Sequence, residues 1–210
     1  MPISPSQNGD GLVTLTVLSS GQAIDSSVQV LSILVESGPG AEAYAVIRVV
    51  DGNPATGNFP VLYSKTFRPL TPIEIRAGYD DASGGTLYKG PVAQVCIKSD
   101  SDQGSYLEIR CLTATSTTSA TGAPLPTSKP DLQVTYGDDV LSFEITSDDS
   151  KLKKSRGSIS FQGSALAKAG GAISIRGFGT VGDGIYKIDQ VRHEIAEGAW
   201  TTEVDFSGPL

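Results

Sequence analysis

Gly177–Gly184 reads GFGTVGDG, and the reading of that stretch decides the fold. Gly177, Gly179 and Gly182 have the G-x-G-x-x-G spacing of a dinucleotide-binding turn. Such a turn works only if a helix comes directly after it, because the helix N-terminus holds the pyrophosphate. The next segment here is IYKIDQV, Ile185–Val191, which alternates with the period of a strand. With a strand on each side, the glycines supply positive φ in a hairpin, and the stretch is a bend rather than a phosphate cradle.

Outward from that bend the chain reads as strand after strand. Upstream come LVTLTVL at Leu12–Leu18, VQVLSILV at Val28–Val35 and AYAVIRVV at Ala43–Val50. DGNPATGNFP then breaks the pattern with glycine, asparagine and proline. Strands resume at Pro72–Gly78, Thr86–Lys89, Val92–Ile97 and Tyr106–Leu112, separated by turn residues. After a Thr/Ser/Pro-rich stretch, TATSTTSATGAPLPTSKP, come LQVTY, VLSFEIT, GSISFQG, AISIRG, GIYKIDQVRHEI and AWTTEVDF. The candidate helices, SKLKKSR and SALAKAG, span two turns at most. The 24 glycines and 12 prolines in 210 residues suit short strands joined by tight turns, so the fold class is all-β.

The chain also echoes itself. IEIRAGYDDASGGTLYKGPVAQV from Ile73 and ISIRGFGTVGDGIYKIDQV from Ile173 share Ile-x-Ile-Arg, a glycine-rich turn, an apolar residue with Tyr-Lys, and a long strand. Ile75-Arg76 matches Ile175-Arg176, Leu87-Tyr88-Lys89 matches Ile185-Tyr186-Lys187, and Gly78 and Gly177 belong to the glycine-rich turns between them. We read two tandem, related small β-barrels of antiparallel strands: residues 1–114, a linker at 115–130, and residues 131–210.

The remaining features favour structure over chemistry. A net charge of −7 repels phosphate backbones and anionic lipid, which speaks against nucleic acid and membrane-surface partners. No apolar run reaches the roughly 18 residues of a membrane helix. MPISPSQNGDG has no basic residue and no apolar block, so no secretory signal is expected. Alternation places Val95 and Ile97 inward on one strand and Leu107, Ile109 and Cys111 inward on the next, which puts Cys96 on the opposite face from Cys111 and leaves the two thiols unbonded. Two cysteines and the single histidine, His193, make a poor zinc site, and no cofactor or metal is expected. His193 is expected to be a satisfied strand residue and Trp200 a core or barrel-end anchor. Asp80-Asp81, the stretch from Asp100 to Asp102, and Asp148-Asp149 read as acidic turns, because none has calcium-loop spacing. Glu74 and Glu108 are expected to face solvent or a neighbouring subunit, and Lys151, Lys153, Lys154 and Arg156 to form a solvated basic run.

RGSISFQG, ALAKAGGAISIRGFG and GIYKIDQVRHEIAEGAWTTEVDF together resemble the closing barrel of the VgrG and phage tail-hub (late control protein D-like) family. VQVLSILVES, AYAVIRVVDGNP, FRPLTPIEIRAGY and LYKGPVAQV resemble its opening barrel. The resemblance implies the non-enzymatic baseplate hub of a contractile injection system. Three chains with two barrels each would present pseudo-sixfold symmetry to a hexameric inner tube and threefold symmetry to a spike. It further implies a homotrimer that contacts the tube protein, the spike protein and other baseplate proteins, assembled in the bacterial cytoplasm as part of a phage tail-like particle. The chain departs from the family pattern in having only the Thr/Ser/Pro-rich stretch where the family usually carries a long, partly helical insertion, and in ending at DFSGPL without a spike domain.

Two other readings compete. A β-sandwich binding module for glycan or protein would need an exposed aromatic platform, for which Tyr44, Tyr88, Tyr106 and Tyr186 are the candidates. A hydrolase with two carboxylates would need an acidic pair outside the turns.

Overall fold

A computed structural model describes residues 3–5, 11–38, 43–53, 56–80, 84–100, 104–113, 130–147 and 155–208. In the first half the strands are β1 (Val13–Ser19), β2 (Gln22–Ala23), β3 (Val30–Ser37), β4 (Tyr44–Val50), β5 (Pro72–Tyr79), β6 (Gly85–Asp100) and β7 (Gly104–Leu112). In the second half they are β8 (Leu132–Thr135), β9 (Val140–Ser147), β10 (Ser155–Gln162), β11 (Ala172–Arg176), β12 (Gly184–Ala196) and β13 (Ala199–Gly208). Two single helical turns, α1 (Pro60–Tyr63) and α2 (Gly179–Gly182), interrupt them. The chain is all-β. Alternation drives it most clearly in β13, where Trp200, Thr202, Val204 and Phe206 are buried and the residues between them are exposed.

The two halves are wired alike. In the first, β1 pairs with β5, β5 with β6, β6 with β7, β7 with β4, and β4 with β3. In the second, β8 pairs with β11, β11 with β12, β12 with β13, β13 with β10, and β10 with β9. Taken in chain order, the first to sixth main strands of each half are joined in the same scheme. One ladder differs in sense: β1 runs antiparallel to β5, whereas β8 runs parallel to β11. The halves meet where β3 pairs antiparallel with the end of β12, Val35 opposite His193 and Ile33 opposite Ile195.

Two apolar clusters form beneath this network. One contains Ile33, Val35, Ile47, Ile73, Ile75, Tyr88, Val92, Leu107 and Ile109, together with Ile195 and Trp200 from the second half. The other draws only on the second half, including Leu132, Val134, Ile159, Phe161, Ile173, Ile175, Ile188, Val204 and Phe206. The 115–130 linker lies outside the described residues, apart from Pro130.

Several local expectations need correction. Ser164–Gly170 forms turns rather than a helix, and Ser155 and Arg156 already belong to β10; residues 150–154, with most of the basic run, lie outside the described residues. The helical turns occur instead after the DGNPATGNFP break and inside GFGTVGDG. That second stretch still joins two antiparallel strands, with Gly177 at φ 89° and Gly179 at φ 70°. Thr86–Lys89 and Val92–Ile97 are one strand, β6, which pairs with β5 up to Pro91 and with β7 from Val92 onward. A register shift between Val92 and Gln94 brings Val95 and Ile97 onto the face of Ile109 and Leu107, the side expected for them, although Ile97 is still 51% exposed there.

Cys111 is buried opposite Val92, Cys96 stands opposite Glu108, and both thiols are free. Burial pushes the Cys111 thiol up to about 12, so it carries almost no thiolate at neutral pH. An aromatic disulfide reagent is expected to label one thiol, Cys96, in the native protein and the second only after denaturation, as intact mass will read directly. Two fast equivalents under native conditions would contradict this placement.

Candidate functional site

The polar residues of the inner face gather where the two clusters meet. Along β12, Val191 belongs to the second cluster and Ile195 to the first, and His193 lies between them. Along β13, Val204 belongs to the second cluster, Trp200 to the first, and Thr202 lies between them. His193 Nδ1 is 2.9 Å from Thr202 Oγ1, and both residues are buried. Thr202 Oγ1 also accepts the Ser164 N–H at 3.0 Å. Its own proton can therefore go to Nδ1, which fits a neutral ring, and burial lowers the His193 pKa to about 4. His193 is thus a satisfied strand residue. Trp200 is the anchor, stacked on Tyr79 with ring centroids 5.4 Å apart.

The echo residues fall on matching strands. Ile75 and Ile175 are both fully buried, on β5 and β11, while Arg76 and Arg176 are exposed beside them. Ile75 stands opposite Tyr88 and Ile73 opposite Gly90. In the second half Ile175 stands opposite Gly184 and Ile173 opposite Tyr186, so the second tyrosine is displaced by two residues along its strand. Tyr88 and Tyr186 are nevertheless both buried, and the Tyr186 hydroxyl donates to Gly182 O at 3.1 Å. Gly78 lies opposite Thr14, and Gly177, with its left-handed backbone, lies against Tyr136. Lys89 and Arg76 both pair with Glu74, at 3.2 and 2.7 Å; these hydrogen bonds, Arg76 first, hold its carboxyl at about 2. Lys187 sits 3.6 Å from Asp189.

The outer face of β6, β7, β4, β3 and β12 carries a groove of about 600 Å³. Glu108 lies in its wall and, contrary to expectation, is only 2% exposed. Three cations from three strands cover it. Arg110 is bidentate, with Nε at 3.1 Å and Nη2 at 2.8 Å from Oε1; Lys98 Nζ is 2.9 Å and Arg48 Nε 3.3 Å from Oε2. Burial alone would raise the Glu108 pKa, but the hydrogen bonds and charges of Lys98 and Arg110 outweigh it and bring it down to about 2. The sequence hid this cluster because its members are far apart in the chain. The available signal was cross-strand: Arg48 is directly opposite Glu108 on β4, and Cys96, two residues from Lys98, is opposite it on β6.

Among the described residues no group of three or more His, Cys, Asp or Glu side chains could hold a metal ion. Asp80 does serve a turn, accepting the Leu12 N–H at 3.1 Å, while Asp81, Asp102, Asp148 and Asp149 lie outside the described residues. No described helix is long and apolar enough to cross a membrane.

A profile described as the Alg8 N-terminal domain matches residues 9–121, just over half of the chain. No curated protein matches the sequence. Among solved structures, a tail protein from Neisseria meningitidis MC58 superposes with a TM-score of 0.62 at 8% identity, over 93% of this chain and 96% of that one. The 43 kDa tail protein of prophage MuSo2 from Shewanella oneidensis superposes with a TM-score of 0.60 at 6% identity, over 91% and 97%. The E. coli c3393 protein, described as a type VI secretion component structurally similar to the T4 tail proteins gp27 and gp5, gives 0.61 at 11% identity, over 92% and 76%. At these identities the likeness is one of fold.

Proposed function

The chain belongs to the Alg8 N-terminal domain family, and we propose that it serves as a structural baseplate hub of a phage tail-like contractile particle, a VgrG-like symmetry adaptor without enzymatic activity. The observation that carries this reading is the repeated strand pairing, six main strands joined by one scheme in each half. Three such chains in a ring present six similar modules to a hexameric tube and three equivalent ends to a spike. The fold shared with two tail proteins and a type VI secretion component supports the same reading. In this role the halves divide near 115–130, the echo residues at Ile75 and Ile175 hold equivalent strands, and the hub works through interfaces with tube, spike and other baseplate proteins. It assembles in the bacterial cytoplasm and leaves it as part of the particle.

The test is assembly state. Mass photometry and negative-stain images of the purified protein are expected to show a threefold ring of about 65 kDa, three chains of 21.8 kDa each. A monomer that persists at about 100 µM, with no ring formed on adding tube or spike protein, would overturn the proposal.

The glycan-binding alternative would need aromatics other than those named for it, such as the exposed Tyr63 and Tyr136. Of the tyrosines named for it, Tyr88, Tyr106 and Tyr186 are buried and Tyr44 is half-buried.

A further inference from the structure

We propose that the outer groove of β6, β7, β4, β3 and β12 is a docking site for an extended acidic segment of a partner protein, with its carboxylates on Arg48, Lys98 and Arg110 and its apolar side chains along Leu34, Val46 and Leu112. The inference stands apart from the hub reading, since it rests on this face alone.

The charge count is the first argument. Glu108 neutralises one of the three cations around it, which leaves a surplus of two positive charges on a chain whose net charge is −7. The cations are also held in place. Each spends one or two donors on Glu108 while its side chain stays 40–51% exposed; Arg48 and Arg110 line the groove, Lys98 reaches it through Glu108 in its wall, and the unused donors sit on side chains that are already positioned. Arginine suits this task because its planar fork can meet a second carboxylate with donors left over.

The groove is also polarised. Its β12 side carries Glu194 and the Arg192–Glu36 pair at 3.6 Å, so that end offers no surplus positive charge. Between the two ends lie Val46, opposite Arg110, and Leu34, opposite Glu194, both half-buried, while the exposed Leu112 stands two residues beyond Arg110 on β7. A ligand with carboxylates at one end and apolar side chains beyond fits this order. A nucleic acid fits it less well, because its phosphates would have to continue past Glu194 and across an acidic protein.

The test is fluorescence anisotropy with a labelled peptide of about ten residues, glutamates in one half and leucines in the other, beside the same peptide with lysines in place of glutamates and an oligothymidylate of equal length. The acidic peptide is expected to bind and to weaken as salt rises; the lysine peptide is expected not to bind. Arg48→Gln and Arg110→Gln should each weaken binding about tenfold, the worth of a charge-assisted hydrogen bond. Lys187→Gln, outside the groove, should leave it unchanged. Unchanged thermal unfolding establishes that the variants are folded; if either arginine variant unfolds, Lys98→Gln takes its place. The proposal fails if the acidic peptide does not bind at about 1 mM, if the groove variants bind like the parent, or if the oligothymidylate binds as tightly.

Discussion

Trp200→Ala is expected to cost about 3–5 kcal/mol of unfolding free energy, the range for deleting a buried aromatic side chain. Against a typical total of about 5–15 kcal/mol, that is the largest single-residue effect anticipated in this chain. Trp200 is 4% exposed and stacks on Tyr79. A Cβ placed on Gly163 would run into its indole ring, so the Gly163 backbone lies directly against that ring and cannot follow a smaller side chain inward without moving β10. Trp200 also comes from the second half but packs in the first-half cluster. Its loss should therefore uncouple the halves as well as leave a cavity. In urea, followed by far-UV circular dichroism because Trp200 is the sole tryptophan, the midpoint should fall and the transition should broaden or split. Trp200→Phe is expected to be milder, since it keeps a ring on Tyr79 and removes a buried indole N–H that has no hydrogen-bond partner among the described residues. A loss below about 1 kcal/mol for the alanine variant would show that Trp200 is not the joint described here.

How much of this was legible in the sequence depends on the range of each interaction. Strands such as β5 and β13 are read from alternation because their burial is set residue by residue along one segment. The buried positions of Ile73 and Ile75 on β5 and of Ile173 and Ile175 on β11 were legible for the same reason. The two-residue displacement of Tyr186 was not, because register depends on the partner strand and on the turn between them. Gly90-Pro91 was read as a break in β6, yet the strand continues through it. It changes partners there, from β5 to β7, at a proline that has no N–H to give to a ladder. The helical turns at Pro60–Tyr63 and Gly179–Gly182 are too short to leave any periodicity. Glu108 was misplaced because its burial is supplied by Arg48 and Lys98 on neighbouring strands; a local pattern assigns a charged residue to solvent by default. The β3–β12 ladder, which makes one network of two similar halves, pairs residues more than 150 positions apart, and no local reading reaches that far.

The second large effect expected is a loss of stability in mild acid that runs through His193. Burial lowers its folded pKa to about 4, against an ordinary value of 6.5. Between those values the unfolded chain binds a proton that the folded chain does not, so stability is complete above about pH 6.5 and falls as the pH drops toward 4. A gap of that size corresponds to about 3 kcal/mol at the lower end of the window. Glu108 and Glu74, both held at about 2, lose their contributions in a lower window, as the pH falls below 4.5 toward 2. From pH 6.5 to about 4.5 the slope therefore belongs mainly to the imidazole. The charge would appear between two apolar clusters, beside Trp200 at a centroid distance of 5.9 Å, with Thr202 as the partner of Nδ1. His193→Gln is the informative variant. An amide can share a hydrogen bond with Thr202 but cannot take up a proton in this range, so its stability should stay nearly level where the parent's declines. Urea midpoints measured at half-unit steps of pH supply the comparison, and subtracting one curve from the other removes every titration the two proteins share. Parallel curves would mean that His193 is protonated as readily in the fold as in the unfolded chain, and that the boundary between the two clusters is open to water.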